Sequence, residues 1–403
     1  MRHGSRVGVP WITAMLLVVV ACLFFLGRPL RAQDEVATCR ARIEAPQVPN
    51  RGGLDALTLQ EMMQKLHVPG LSLAAVKDFK IHWAKGYGVD DVDTGRSVAL
   101  TTLFQAASIS KPVTAMAALR LVQDGRFSLD DDINALLKTW RVPTSDVTRD
   151  HPVTPRALLS HTSGADDGFG FPGYAPSAPL PTVVQILKGE QPSNVGPVVF
   201  VRPPFQSFKY SGGGLTVMQL ALTDLVGSSF AQFMRSSVLG PLEMTNSTYE
   251  QPIPDAFGSR AAKAHNGEGG RMGAPWHVYP EQAAAGLWTT PSDLARFAIE
   301  VQNALRGPSG RVLKQATARE MFTPVGVGPH AIGLRVDKRG EGWYVSHGGT
   351  NWGFCCDLLA HASKGYGVVV MTNGDNGTFA VKEIEARVAA AYNWDSLDKP
   401  MVR

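Results

Sequence analysis

Charge is scarce in this chain: 18% of its 403 residues are Asp, Glu, Lys or Arg. The formal net charge is +4, from 39 basic and 35 acidic residues. Arg2, Arg6, Arg28 and Arg31 account for all of it, because residues 1–32 hold no acid. Taking those four from 39 leaves 35 basic against 35 acidic residues from position 33 onward. A neutral body argues against nucleic acid or an anionic membrane surface as a partner. Other absences narrow the chemistry. The histidines show no ligand spacing such as H-E-x-x-H, so a metalloenzyme is not expected. The G-x-S-x-G nucleophile elbow is missing. There is no repeat or low-complexity segment, and past residue 32 no stretch is long and apolar enough to span a bilayer.

The one long apolar run lies at the start. Arg2 and Arg6 precede an uncharged, mostly apolar stretch from Val7 to Gly27, closed by Arg28 and Arg31, with Ala32 as a small residue for cleavage. This is the layout of a secretory signal peptide over 1–32 and predicts a secreted or periplasmic protein. An uncleaved N-terminal segment is the alternative, and the only membrane contact expected. Ala21-Cys22 faintly suggests a lipoprotein site, but Leu23-Phe24-Phe25-Leu26 carries the apolar run past it. Cysteine is also scarce, at four. Beyond the leader stand Cys39, Cys355 and Cys356. Neighbours on a strand face opposite ways, so at most one of the pair can reach Cys39. One disulfide with a leftover thiol, or three buried thiols, are the two readings.

Residues 33–53 read as an irregular lead-in. Leu54 to His67 is helical in composition, and Leu71–Val76 with Lys80–Gly88 reads as a hairpin. Residues 126–300 hold helical runs between Pro- and Gly-rich connections. Thr154-Pro155 and Thr290-Pro291 each start a helix, Thr as cap and Pro first inside, and Asp293 offers a capping-box acid. The loop Gly164–Leu180 is long and rich in Gly, Pro and aromatics, as binding walls often are. Strands return at Trp343–Ser346, Gly353–Leu359 and Gly365–Met371, followed by an amphipathic helix over Thr378–Tyr392. The fold class expected is α+β: an antiparallel sheet built from both chain ends, with flanking helices and a mostly helical insertion. The sheet part takes 33–125 and 301–403 and the helical part 126–300, together one domain.

The chemistry gathers on Ser108-Ile109-Ser110-Lys111. Residues three apart share a helix face, so Ser108 and Lys111 bring a hydroxyl and an amine together. Ala115, Met116, Leu119, Leu121 and Val122 recur at helical spacing up to Gly125. Pro112 requires Ser108, four residues back, to lie at or before the helix start. There the free N–H groups and the positive dipole end favour a developing oxyanion. Two more segments can complete a centre. Tyr210 precedes Gly212-Gly213-Gly214, read as a loop ahead of a helix over Leu215–Val226. A phenol beside an ammonium is more acidic than a free one, so Tyr210 is expected to share the Ser108 proton with Lys111. His347-Gly348-Gly349-Thr350 is read at a strand end whose glycines leave the edge bare for a substrate backbone. The N–H groups of Ser108 and Thr350 would form the oxyanion hole. His347 would offer a substrate carboxylate partial positive charge or a neutral hydrogen bond.

Together these residues resemble the serine β-lactamase and penicillin-binding protein family, in the branch with class C β-lactamases, D-alanyl-D-alanine carboxypeptidases and family VIII carboxylesterases. That family carries Ser-x-x-Lys, then Tyr-x-Asn or a variant, then Lys/His-x-Gly. Here these are Ser108/Lys111, Tyr210 and His347/Gly349. Leu158-Leu159-Ser160-His161-Thr162-Ser163-Gly164 and the stretch from Gly286 to Leu294 also look like the family's, and the similarity covers most of residues 50–395. His161 is read as structural. The resemblance implies a serine hydrolase: Ser108 attacks a carbonyl, Lys111 and Tyr210 handle the proton, and an acyl-enzyme forms and is hydrolysed without metal or cofactor. His347, Gly349 and Thr350 would bind a small-molecule or short-peptide substrate: a β-lactam, a D-Ala-type peptide or a short-chain ester. Gly212 stands where the family usually has Asn, and His347 replaces the commoner Lys, which weakens the case for penicillin hydrolysis. The alternative is a non-catalytic or slowly deacylating penicillin or cell-wall-fragment binder.

Overall fold

A computed structural model describes Met1 and residues 33–394 apart from 50, 169, 308–309 and 340–341. Apart from Met1, the expected leader lies outside the described residues. Strands from the two ends of the chain meet in one sheet. The first end supplies β1 (Gly70–Lys77), β2 (Lys80–Asp91) and β3 (Arg96–Ser97). The second supplies β4 (Arg335–Arg339), β5 (Gly342–Asn351), β6 (Phe354–His361) and β7 (Gly367–Thr372). The order in this seven-stranded sheet is β3-β2-β1-β7-β6-β5-β4, every pair antiparallel. The ends join where β1 pairs β7, Leu71 opposite Thr372 and Val76 opposite Gly367.

Alternation along these strands fills two cores. Leu71, Leu73, Ala75, Val368, Val370 and Leu359 point to one face, and Ala74, Val76, Val369, Met371 and Leu358 to the other. A strand buried on both faces reads as a continuous apolar run, as β1 and β7 do. The first face is covered by a helix over 33–44 (α1), α2 (Leu59–Lys65) and, near the C-terminus, a helix over Gly377–Ala391. The second belongs to a core shared with α3 (Ser110–Gln123), α4 (Pro155–Leu159), α5 (Gly212–Val226), α6 (Gln282–Ala285) and α7 (Pro291–Arg306), of which α7 lies against β1, β2, β6 and β7. With these ranges set, the Gly377–Ala391 helix is α8. The α+β antiparallel architecture expected from the sequence is the one found.

Three local expectations are corrected. Residues 33–53 are not irregular throughout, since α1 occupies 33–44. The buried Arg387 of α8 donates to the carbonyls of Ile43, Ala45, Leu54 and Leu57 and pairs with Glu383, so a long-range partner orders this segment. The capping box at α7 is half formed. Thr290 Oγ1 accepts from Asp293 N–H at 3.3 Å, but the Asp293 carboxylate turns to Asn246 N–H, Ser247 Oγ and Arg296. Gly212–Gly214 form the first turn of α5 behind the Ser211 cap rather than a loop. Of the two readings of Cys39, Cys355 and Cys356, three buried free thiols is the one found. Cys39 sits 4.0 Å from the Ala391 carbonyl and Cys355 3.5 Å from that of Asp375, while Cys356 donates to Ala106 O at 3.0 Å.

Candidate active site

Ser108 lies in a 3-10 turn, Ala107–Ile109, that runs straight into α3. Pro112 is the third residue of α3, so the residue four before it falls outside the helix, as its ring demands. Ala107 is held at φ +46°, a left-handed conformation that a residue with a Cβ rarely adopts. Its neighbours hold it there. Ser110 Oγ donates to Ala107 O at 2.6 Å and accepts from Leu287 N–H at 3.0 Å, while Tyr249 Oη donates to Ser110 O at 2.8 Å.

Lys111 is 3% exposed. Its Nζ lies 2.9 Å from Ser108 Oγ and donates to Ala284 O of α6 at 2.8 Å. Burial drives its ammonium down to about 7, against a weaker opposing pull from Asp167. Near neutral pH much of the amine is therefore unprotonated, with a lone pair within reach of the serine proton. Tyr210 hydrogen-bonds Ser108, and the Lys111 Nζ stands 4.9 Å from its ring centre. Its phenol is not made more acidic, contrary to the expectation: loss of solvation pushes it well above the ordinary range. The physical reason is the phenol's own burial, which outweighs the hydrogen bond from Ser108, with Asp167 and Cys356 adding to the rise.

His347 lies inside β5 rather than at a strand end. Its Nδ1–H donates to Gly348 O at 2.7 Å, and burial, with Lys111 and His330 adding to it, pushes the ring down to about 3. The ring is neutral and its one proton is spent on Gly348 O, so Nε2 keeps a lone pair and His347 offers a carboxylate neither of the two expected contacts. Strand β4 ends opposite Ser346, so from His347 to Asn351 β5 has a neighbour only on its β6 side. This is the bare edge expected of that segment. Gly349 owes its identity to the nucleophile turn: a Cβ there would stand 2.6 Å from Ala106 O and 3.0 Å from the Ala107 Cβ. Thr350 sits opposite Cys355. Ser108, Lys111, Tyr210, His347, Gly349 and Thr350 all line one cavity of about 710 Å³.

The long loop over 164–180 contributes Gly170 and Phe171 to this cavity. The Phe171 ring would lie 2.7 Å from a Cβ on Gly212, so it fills the space a side chain there would need. Sequence reasoning missed Asp167 in the same loop. Its carboxylate accepts from Ser211 Oγ at 2.5 Å and from Gly213 N–H, fixing the start of α5 just after Tyr210. His161, read as structural, accepts Ser211 N–H at Nδ1 and stacks on Tyr210 with ring centres 4.3 Å apart. His330, also on the cavity wall, was not singled out; no local pattern marks it.

A lysine amine, a serine hydroxyl and a phenol thus meet beside an open strand edge. The chain belongs to the beta-lactamase family, whose profile matches residues 56–393. It is 25% identical over 330 residues to Protein flp of Staphylococcus aureus (strain N315), covering 78% of this chain and 61% of that protein. The chain thus spans less than two thirds of the length of that relative. It is 27% identical over 328 residues to penicillin-binding protein 4 of Amycolatopsis lactamdurans, covering 77% of this chain and 82% of that one. Among solved structures, the octameric penicillin-binding protein homologue from Pyrococcus abyssi matches with TM-score 0.66 at 23% identity, over 84% of this chain and 76% of the other. The D-alanine carboxypeptidase AmpC from Burkholderia cenocepacia matches with TM-score 0.65 at 18% identity, over 88% and 99%. These likenesses show the fold.

Proposed function

We propose that the protein is an exported serine hydrolase working through an acyl-Ser108 intermediate on a small amide or ester. The observation that carries this is the 2.9 Å approach of Lys111 Nζ to Ser108 Oγ, with burial lowering the lysine to about 7. The Ser108 proton passes to Lys111 as Oγ bonds to the substrate carbonyl carbon. The resulting oxyanion faces the N–H groups of Ser108 and Thr350. Tyr210 relays the proton to the leaving nitrogen or oxygen as its bond to the acyl carbon breaks. Water then attacks the ester, and Ser108 regains its proton through the same groups. Asp167 and His161 position Tyr210 from behind.

A neutral His347 gives a substrate carboxylate no ion pair, and Phe171 fills the space beside Gly212. Both favour a short ester or uncharged amide over a β-lactam. The test incubates wild type and Ser108→Ala with a fluorophosphonate probe, a fluorescent penicillin and p-nitrophenyl butyrate. Labelling that needs Ser108, with ester turnover, is expected. Stable penicillin labelling without turnover of any substrate would make the protein a binder, and absence of all labelling would refute the acyl-serine reading.

A further inference from the structure

Three imidazoles meet behind the proposed substrate wall. His161, His330 and His347 come from the turn after α4, the segment before β4, and the middle of β5. They are 1%, 7% and 6% exposed. Each has a buried ring nitrogen with no hydrogen-bond partner: Nε2 of His161, Nδ1 of His330 and Nε2 of His347. One ligand atom from each lies within 4.8 Å of the others. Buried polar atoms are rarely left unpaired, and one on each of three rings this close together calls for a common occupant. We propose that His161, His330 and His347 form a binding site for a zinc-class divalent transition metal, opening on the cavity beside Tyr210.

The chemistry of the donors fits such an ion. Neutral imidazole is the common nitrogen ligand of zinc, and all three rings are buried. His347 already has the arrangement of a metal ligand: its Nδ1–H donates to a backbone carbonyl, which leaves the Nε2 lone pair facing the cluster. Tetrahedral zinc with bonds of about 2.0–2.1 Å sets its nitrogens about 3.4 Å apart. The rings must therefore close from at most 4.8 Å, a shift of under ~1 Å each by side-chain rotation. His161 must also change tautomer. Ser211 N–H donates to its Nδ1 at 3.2 Å, which places the ring proton on Nε2 in the metal-free protein. On loading, Nε2 gives up that proton, Nδ1 takes one, and the Ser211 bond is lost. One long hydrogen bond is a small loss against three metal–nitrogen bonds. Entry is from the cavity, where His330 and His347 form the wall and His161 stands behind them. Tyr210 has its ring centre 4.3, 6.3 and 6.2 Å from those of His161, His330 and His347, so the ion would sit among the rings flanking the phenol.

The site shares His161 and His347 with the surroundings of the proposed active site, but its test does not use turnover. Untagged wild type is titrated with Co(II) and the visible d–d absorption recorded. A saturable, intense four-coordinate spectrum at one ion per chain, displaced by zinc and retained in Ser108→Ala, is expected. His330→Gln and His347→Gln, each checked for native circular dichroism, should each weaken binding at least ~30-fold. Should one variant fail to fold, the other still decides. A featureless six-coordinate spectrum, or binding unchanged in the folded variants, would overturn the proposal.

Discussion

Replacing Lys111 by Met should stabilise the fold while abolishing Ser108 labelling, and the stabilisation should depend on pH. The lysine is lowered from 10.5 to about 7 by burial. Across that window the unfolded chain holds a proton that the folded chain does not, so wild-type stability rises with pH from about 7 toward 10.5. Below pH 7 both states are protonated, and the folded state carries the full burden of a buried ammonium. A shift of about 3.5 units corresponds to about 5 kcal/mol. Met removes this burden but leaves Ala284 O and Ser108 Oγ each short of a partner, about 1 kcal/mol apiece. The net expectation is a variant about 3 kcal/mol more stable than wild type at pH 6, with the advantage gone at pH 10. Urea denaturation of both proteins at the two pH values measures it. A stability difference that is the same at pH 6 and pH 10, or a wild type that is the more stable at pH 6, would refute the claim that burial has made this amine a base.

Two other changes probe the surroundings. Glu281 is wholly buried with neither carboxylate oxygen hydrogen-bonded, and burial raises it to about 7. The folded state therefore keeps a proton that the unfolded chain sheds between about pH 4.5 and 7, so wild-type stability falls by about 3 kcal/mol as pH rises through that window. Glu281→Gln should flatten this loss in melts at pH 4.5 and 8. Gly349→Val should push its Cβ into Ala106 O and displace the nucleophile turn. Fluorophosphonate labelling should then fall by about 100-fold while circular dichroism stays native, since a shift of an ångström at a reacting centre costs that much. Labelling at the wild-type rate would show that the close approach of β5 to the turn is dispensable.

Local signals in the chain were enough for the strand pairs, the Thr-Pro helix starts and the placement of Ser108 ahead of α3. Each rests on a period, a cap or a steric rule that acts over a few residues. The antiparallel sheet followed because the apolar runs at the two ends are short and bounded by turns. Whatever depended on distant partners was not legible. Arg387 orders the segment after position 33 from the far end of the chain. The free thiols are set by where α1 and β6 lie, and the acidity of Tyr210 by how deeply its own ring is buried. The three histidines show the limit most plainly. Their positions, 161, 330 and 347, carry no ligand spacing, and only the packing of a turn, a connecting segment and a strand brings their nitrogens within 4.8 Å. Sequence determined which groups are present and which near neighbours share a face; burial, which sets charge and pKa, and convergence across the chain are properties of the folded whole.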